Sequence, residues 1–517
     1  MQDRPNFLFI MTDQHRADWL GCAGHPVVRT PNIDALAARG TRFGNFHVGS
    51  PVCMPNRASL MTGRYPSLHG LRYNGCLLSQ RARTFVDALR EAGYRTASIG
   101  KSHLQPFTDM TVAPAPGTPE TEAWAHDAGD YGHEEPARYE AEADYAIALP
   151  YYGFDHVDMV TSHGDTCGGH YRQWLRRTHP NWQALTDPAN RLPHDYSVRQ
   201  ANRTPMPEDS YPTAWIRDRA KDYLRAHAGS DAPLFTYVSF PDPHHPFNPP
   251  GRYWDMYDPD DFSVPARFAD HANPPPPLAS THADFLAGRR PKLDTTVFMA
   301  EDRQVREAMA LTAGMITMID DAVGEIVEVL CETGRLEDTV IVFNADHGDY
   351  LGDCNLLLKG AWSRDSINRV PMIWADPAAP SGKVSTALAS TVDLAPTILA
   401  RAGVDPHFGI QGQSLLPCMD GQGRVRDTLL VEYNDGMPRM GFASPARVRT
   451  LLTDDWHLAI YQGQDWGELY DRRADPLQVR NLWDDSDHSG VRADLVLQLT
   501  QHLISQMDES PRHTRVA

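Results

Sequence analysis

The residues best suited to chemistry begin at Cys53, in the stretch Cys53-Met54-Pro55-Asn56-Arg57. A cysteine that attacks a substrate directly needs a neighbouring base or a lowered pKa. The phosphate cradle of tyrosine phosphatases places more residues between its cysteine and its arginine than separate Cys53 from Arg57. This spacing argues against ordinary thiol catalysis. A buried structural cysteine remains the alternative, because free cysteines are usually buried.

Two acidic motifs stand where predicted strands end. Asp13-Gln14 follows a buried strand predicted at residues 6–11, and Asp346-His347 follows a later one. The carboxyl ends of parallel strands meet at one edge of a sheet, so we expect these side chains to lie close together. Two carboxylates with one imidazole suit Mn²⁺ or Ca²⁺ better than an all-thiolate zinc site would. An aspartate after a strand is also a common turn residue, and for Asp13 that reading stays open.

Cationic side chains recur after other predicted strands. They are Lys101, His103, His244 and Lys359, and Arg57 adds a guanidinium close to Cys53. Each of them alone is typical of a solvated surface charge. Their recurrence at strand ends instead indicates a local site for a small anion in an otherwise acidic chain.

Strands and helices alternate along the chain, which predicts an α/β fold. Apolar runs of strand length alternate with stretches of helical period, and this predicts a large, mostly parallel, doubly wound sheet flanked by helices. Short strands and a final helix predict a small C-terminal antiparallel sheet with a covering helix. We expect a catalytic domain at 1–420, with insertions near 104–210 and 248–295, and a C-terminal subdomain at 421–517. Aromatic residues of the first insertion, such as Trp124, Tyr139 and Tyr151, either line a pocket or pack the insertion onto the body.

The composition limits the classes of partner. Forty-eight basic and 67 acidic residues give the 517-residue chain a formal charge of −19, which repels polyphosphate backbones and anionic lipid surfaces. We therefore expect no nucleic-acid partner and no membrane association. The seven cysteines include no CxxC pair, and the first apolar run is too short for a signal peptide, so we expect a cytoplasmic protein.

These residues together resemble the formylglycine-dependent sulfatases of the alkaline phosphatase superfamily, with their relatives the phosphonate monoester hydrolases and the choline-sulfatase-like enzymes. The stretch from Cys53 to Arg57 matches the CxPxR signature of the sulfatase family. The match continues along nearly the whole chain, through the strand before Asp13, Leu60-Met61-Thr62-Gly63-Arg64, Gly100-Lys101-Ser102-His103, Pro243-His244, Asp346-His347-Gly348, Lys359 and Glu468-Leu469-Tyr470-Asp471.

The resemblance implies specific roles. Cys53 would be oxidised to formylglycine by a formylglycine-generating or sulfatase-maturing enzyme, and one divalent metal would be bound by Asp13, Asp346, His347 and the modified residue 53. The implied catalytic residues are Cys53, Arg57, Lys101, His103, His244 and Lys359, and the implied substrate contacts are Gln14 and Asn74. Long insertions and an extended tail, which relatives use to bury interfaces, lead us to expect a homo-oligomer, either a dimer or a tetramer.

Four positions bear on which ester is cleaved. Gln14 and His347 stand where many calcium sulfatases carry Asp and Asn, which favours Mn²⁺ and leaves Ca²⁺ open. Phosphonate monoester hydrolases share Gln14 and His347, whereas Lys101 and His103 follow the sulfatase pattern. We predict hydrolysis of small aryl or alkyl sulfate monoesters. Hydrolysis of phosphonate monoesters or phosphodiesters is the runner-up, because all of these esters carry one negative charge.

Two other classes of protein remain as alternatives. A phosphotransferase or mutase of the same superfamily would use serine or threonine as its nucleophile and usually two metals, whereas this chain offers Cys53 and ligands for one metal. A non-catalytic anion-binding protein would fit the same fold. It would have no need of an aldehyde, so an unmodified thiol at position 53 would favour it.

Overall fold

The structure is a computed structural model that describes residues 4–110, 119 and 128–515. A nine-stranded sheet runs through its body, in the spatial order Lys383–Ser385, Thr41–Phe43, Met372–Ala375, Thr339–Ala345, Asn6–Thr12, Leu234–Ser239, Arg95–Gly100, His156–Thr161 and Gly168–Gly169. The strands from Thr339–Ala345 to His156–Thr161 are mutually parallel. Met372–Ala375 and Gly168–Gly169 run antiparallel to their neighbours. The predicted α/β fold with a mostly parallel sheet is confirmed.

The strand register brings the two acidic motifs to one place. Every residue of the central strand Asn6–Thr12 is buried, as expected for a strand covered on both faces. Thr12 pairs with Ala345 of the neighbouring parallel strand. Asp13 and Asp346 therefore leave the sheet side by side at its carboxyl edge, where the Gln14 N–H donates to Oδ1 of Asp346 across 332 residues of sequence.

Helices cover both faces of the sheet. Alternate residues of the central strand divide between two apolar cores, with Phe7 and Phe9 in one and Leu8 and Ile10 in the other. The longest helix supplies Ile319 to the second core. The helices are Pro31–Arg39, Cys53–Thr62, Pro66–His69, Phe85–Glu91, Pro136–Ala141, His170–Thr178, Trp182–Thr186, Pro212–Ala226, Pro276–Leu286, Asp302–Glu332, Asp365–Asn368, Leu394–Arg401 and Ser489–Ser505.

A second sheet lies near the C-terminus. Its four antiparallel strands follow one another as Leu429–Asn434, Arg447–Leu452, Trp456–Tyr461 and Gly467–Asp471. Leu495 and Leu499 of the helix Ser489–Ser505 share an apolar cluster with Leu451 and Leu458 of the sheet. The predicted small antiparallel sheet with its covering helix is confirmed. Two further strand pairs, Phe46–His47 with Ala389–Ser390 and Phe298–Met299 with Leu356–Leu357, lie outside both sheets.

The segment 104–210 contributes to the main sheet. It supplies the strands His156–Thr161 and Gly168–Gly169, to which the sequence analysis assigned no element. Tyr139 and Tyr151 are buried in the same apolar core as the central strand, so these rings pack the segment onto the body. Trp124 lies outside the described residues. Among the residues that the structure describes, no helix is both long and apolar enough to span a membrane.

Candidate active site

Cys53 begins the helix Cys53–Thr62, and all ten residues of this helix are buried. Its thiol sulfur lies 3.0 Å from Nε2 of His347 and 3.8 Å from Oδ1 of Asp13. Asn74 stabilises the start of the helix, because its Oδ1 accepts a hydrogen bond of 3.1 Å from the Met54 backbone N–H. Asn74 is exposed. Its observed contact is therefore a helix-capping bond at the mouth of the site.

Asn56, within the same helix, ties Cys53 to the carboxyl edge of the sheet. Its Nδ2 donates to the carbonyl oxygen of Asp346 at 2.7 Å, and its Oδ1 accepts from the Gly49 N–H at 2.9 Å. The amide side chain therefore bridges the turn before the helix and the strand end that carries Asp346. A side chain with both a donor and an acceptor is needed for both bonds.

Four predicted ligands come together. One ligand atom each from Asp13, Cys53, Asp346 and His347 lies within 4.8 Å of the other three, and all four residues are buried. Nε2 of His347 is 3.3 Å from Oδ1 of Asp13 and 3.5 Å from Oδ1 of Asp346. His347 Nδ1 is 2.8 Å from the Gly348 carbonyl oxygen, which can only accept. Nδ1 therefore carries a proton, and Nε2 faces the two carboxylates, where a bound metal would take the place of its second proton.

The charges of this cluster favour a bound cation. Burial and Lys359 lower the pKa of His347, but Asp346, Cys53 and Asp13 outweigh them and raise it to about 10. Burial raises the pKa of Asp13, yet Lys101 and the neighbouring histidines bring it well below its usual range. Two oxygen ligands, one imidazole and residue 53 therefore suit a divalent metal, and the residues fit the group that the sequence predicts.

Arg57 and Lys101 surround the acidic pair. Nε of Arg57 lies 2.8 Å from Oδ2 of Asp346, and its Nη1 donates to the Lys101 carbonyl and to Ser239 Oγ, both at 2.8 Å. The Lys101 ammonium bonds to Oδ2 of Asp13. Both cations are fully buried. The Nη2 group of Arg57 has no hydrogen-bond acceptor among the described residues.

His244 and Lys359 lie together in the site. Nζ of Lys359 donates to Oε1 of Gln14 at 2.8 Å and lies 3.2 Å from Nε2 of His244. Nδ1 of His244 donates to the His245 carbonyl at 2.6 Å. Gln14 is held in turn by Asp349, which accepts from its Nε2 at 2.6 Å. Gln14 therefore lies in the site, where it fixes the position of the Lys359 ammonium.

His163 belongs to this site although the sequence analysis did not identify it. Its ring stacks on His244 at a centroid distance of 3.6 Å, and its Nε2 is 2.8 Å from Nζ of Lys101. Asp13, His163 and His244 could form a second metal group, but the Lys101 ammonium bonds to both Asp13 and His163. His163 follows the strand His156–Thr161, so the rule that placed Lys101 and His244 at strand ends would have found it only if that strand had been predicted.

His103 closes the remaining side. Its ring stacks on Phe107 at 3.9 Å, and its Nδ1 is buried without a hydrogen-bond partner in the described part of the chain. Burial, Lys101, Arg57 and His163 lower the pKa of His103 well below its usual value. His103 is therefore neutral near pH 7, and a neutral imidazole can accept a proton.

Comparisons with known proteins agree with this site. The sulfatase family model matches residues 5–404, and a model described as N-sulphoglucosamine sulphohydrolase, C-terminal, matches residues 359–505. The uncharacterized sulfatase YidJ of Escherichia coli (strain K12) is 29% identical over 494 residues, covering 95% of this chain and 85% of the relative. The multifunctional alkaline phosphatase superfamily protein PehA of Trinickia caryophylli is 27% identical over 538 residues, covering 99% of this chain and 98% of the relative.

A solved structure shows the same fold over the same length. The crystal structure of the phosphonate monoester hydrolase of Agrobacterium radiobacter aligns with a TM-score of 0.76 and 27% identity, covering 99% of this chain and 98% of that chain. The family match spans the strand before Asp13, the Cys53 helix and the Asp346 strand end, which are the elements that build the buried cluster. The chain belongs to the sulfatase family of the alkaline phosphatase superfamily, as a hydrolase of ester substrates.

Proposed function

We propose that this protein hydrolyses small sulfate monoesters, aryl or alkyl, at the site around residue 53. The observation that carries the proposal is the position of Cys53, whose sulfur contacts Asp13 and His347 and whose pKa the nearby Lys359 and Lys101 lower. Burial and Asp13 raise the pKa of its thiol, but Lys359, His347 and Lys101 lower it more. A sulfate ester bound beside residue 53 would bring its negative oxygens to those cations.

The proposed site includes a divalent metal and a formylglycine. Asp13, Asp346, His347 and residue 53 would bind Mn²⁺ or Ca²⁺. The metal would lower the pKa of a bound hydroxyl, and the hydrated aldehyde would supply a nucleophile that can later leave. Arg57 holds Asp346 in the direction of the metal ligands, through the bond of 2.8 Å from its Nε.

The other residues divide the work of binding and proton transfer. Lys101 and Lys359 neutralise the charge of the ester oxygens. His103, neutral and with an unpaired ring nitrogen, accepts a proton on the residue 53 side. His244 Nε2 and Lys359 Nζ, 3.2 Å apart, share the proton that goes to the leaving alkoxide.

Phosphonate monoesters and phosphodiesters are the second candidate substrates. The similarity to the phosphonate monoester hydrolase structure over 99% of this chain favours them. These esters carry one negative charge, as sulfate monoesters do, so the same cations would bind them. Lys101 and His103, which match the sulfatase pattern, are the reason that we place sulfate esters first.

The test compares the hydrolysis of two esters by one preparation of the protein. The protein is expressed with a formylglycine-generating enzyme and loaded with Mn²⁺ or Ca²⁺. The mass of the tryptic peptide 43–57 then reports whether residue 53 is an aldehyde. We expect an aldehyde, and a higher kcat/KM for an aryl sulfate than for an aryl phosphonate monoester. A higher value for the phosphonate would reverse the assignment, and no turnover of either ester by aldehyde-containing, metal-loaded protein would overturn it.

A further inference from the structure

Glu134 places a buried carboxylate behind the backbone of His103. Its Oε2 accepts from the His103 N–H at 2.8 Å, and its Oε1 accepts from the N–H groups of Leu104 and Gln105 at 2.9 and 3.1 Å. Tyr151 donates its hydroxyl to Oε1 at 2.7 Å. The side chain is fully buried, so one carboxylate holds three successive amides of the chain that leaves the site.

These amides belong to a stretch with unusual backbone geometry. His103 has a φ of +58°, in the left-handed region that a non-glycine residue rarely adopts. Such a conformation is unfavourable and persists only where the surroundings impose it. The bond from the His103 N–H to Glu134 acts directly on the strained residue. This bond therefore helps to hold the backbone conformation from which the His103 side chain projects.

A second set of bonds joins the same two segments. Oε1 of Gln105 accepts from the His133 N–H at 2.9 Å, and Nε2 of Gln105 donates to the Asp130 carbonyl at 3.2 Å. The Leu104 carbonyl also accepts from the Leu78 N–H at 3.3 Å, which fixes the loop to a third segment. The loop after Lys101 is thus fixed to residues 130–134 at several points. Among the described residues, Glu134 is the only side chain in these contacts that is a carboxylate.

We propose that Glu134 is a positioning residue that acts through His103, so that the segment 128–170 sets the geometry of proton transfer at the site. This inference rests on the proposed function, because it assigns His103 to the transfer of a proton. Among the described residues, Glu134 itself hydrogen-bonds only to backbone amides and to Tyr151, and it lies behind the loop. Its effect is therefore on the orientation of His103.

Substitutions of two buried residues separate an effect on the orientation of His103 from an effect on the stability of the fold. In Glu134→Gln, an amide whose oxygen takes the Oε1 position keeps the bonds to Leu104, Gln105 and Tyr151, and its NH₂ group faces the His103 N–H, which breaks that bond alone. In Tyr151→Phe, the bond to Oε1 is lost and the bond to His103 stays. We expect kcat to fall roughly 10- to 100-fold in Glu134→Gln with KM little changed, because misplacement of a catalytic group by about 1 Å costs on this order.

Tyr151→Phe is expected to keep the wild-type kcat even where its midpoint of thermal unfolding falls as far as that of Glu134→Gln. A loss of kcat that follows unfolding equally in the two variants would overturn the proposal. In a His103→Ala background, Glu134→Gln should add less than a twofold further loss of kcat, because its effect passes through the missing imidazole. An undiminished loss in that background would also overturn it.

Hydrogen exchange in the wild-type protein tests the proposal even if Glu134→Gln does not fold. Peptides that contain residues 103–105 should exchange slowly, as buried bonded amides do. Exchange at the rate of an open loop would overturn the proposal. Failure of the proposed function is distinguishable, since wild-type protein with an aldehyde at residue 53 would then cleave neither ester, whatever the exchange result.

Discussion

Two buried groups of charged residues show how the molecule uses charge in different ways. One is the active site. The other, which we call the junction cluster, joins the body to the C-terminal sheet and consists of Trp362, Arg364, Asp365, Tyr461, Glu468, Tyr470 and Arg472. Glu468 accepts from Trp362 Nε1 at 2.8 Å, from Tyr470 at 2.7 Å and from the Tyr461 hydroxyl. Arg364 donates to backbone carbonyls of residues 477 and 478. Both oxygens of Glu468 are satisfied from within the protein.

The active site instead places lysine ammoniums beside histidines, whose protonation they oppose. His163 lies beside Lys101, and burial and Lys101 lower the pKa of His163 to about 3. Burial, His163, His245 and Lys359 likewise lower the pKa of His244. A bound anion would relieve this repulsion, whereas the junction cluster needs no ligand. In the junction cluster, buried charges thus join the body to the C-terminal sheet. In the active site, buried charges favour the binding of an anion.

Removal of the residue 53 side chain is expected to have the largest effect on activity. Cys53→Ala should lower kcat/KM about 10⁵-fold or more on every ester, the order seen when a nucleophile is removed. The free energy of unfolding should change by no more than about 1 kcal/mol, because a small apolar side chain replaces a buried thiol. Kinetics with an aryl sulfate and urea unfolding measure the two quantities. A retained activity would place the chemistry elsewhere.

Lys359→Met sharpens the comparison because it removes a buried ammonium that has no carboxylate partner among the described residues. We expect kcat to fall about 10²- to 10³-fold, with the largest loss on esters of poorly acidic alcohols, which need a proton on the leaving oxygen. The unfolding midpoint at fixed metal concentration should stay or rise. The exposed Lys292→Met serves as the control for loss of one positive charge. A large loss of stability in Lys359→Met would show that the two clusters do not differ as proposed.

Glu468→Gln breaks the junction cluster without touching the site. The amide keeps one acceptor oxygen and turns a donor toward the hydroxyl and indole donors, so we expect a loss of about 1–3 kcal/mol of unfolding free energy. The kcat of the folded variant should equal that of the wild type. Urea unfolding and steady-state kinetics on the same preparation decide the matter, and a lowered kcat at full folding would link the junction to catalysis.

Substitution of Asp365 is expected to have the smallest effect, which is a change in how stability depends on pH. Burial raises its pKa, but Arg472 and His457 outweigh burial and bring it well below its usual value. A lowered pKa contributes stability above the unfolded value of about 3.9, and that stability is lost as the pH falls through the folded pKa, by at most ~1.4 kcal/mol per pH unit. Asp365→Asn should flatten the unfolding free energy below about pH 4. An unchanged slope would contradict the pairing with Arg472.

The fold could be predicted to a large extent, because its elements carry strong local signals. The central strand is an uninterrupted apolar run, and the long helix has both a regular apolar period and the terminator Gly334. The predicted strand at 6–11 differs by one residue from the observed strand Asn6–Thr12. The segment 104–210 lacked such signals, since proline, histidine and acidic residues interrupt its apolar period, and its two strands were missed.

The site shows a similar division. Asp13, Lys101, His244 and Asp346 each follow a predicted strand. This was enough to predict that they lie near one another, because parallel strands share a carboxyl edge. The roles assigned to these residues stay predictions. Glu134 could not be found in this way, because it acts on backbone amides 29–31 residues earlier in the chain. Contacts between a side chain and a distant backbone leave no spacing in the sequence.

The complete burial of the helix Cys53–Thr62 has a consequence for the timing of events in the cell. Cys53 is 2% exposed, and its neighbours along the helix are no more accessible. If Cys53 is oxidised to the aldehyde, the modifying enzyme has to reach it while the chain is still being made or is not yet folded. Folding and oxidation then compete as rates. Each molecule that folds first is fixed as an unmodified protein until it unfolds again.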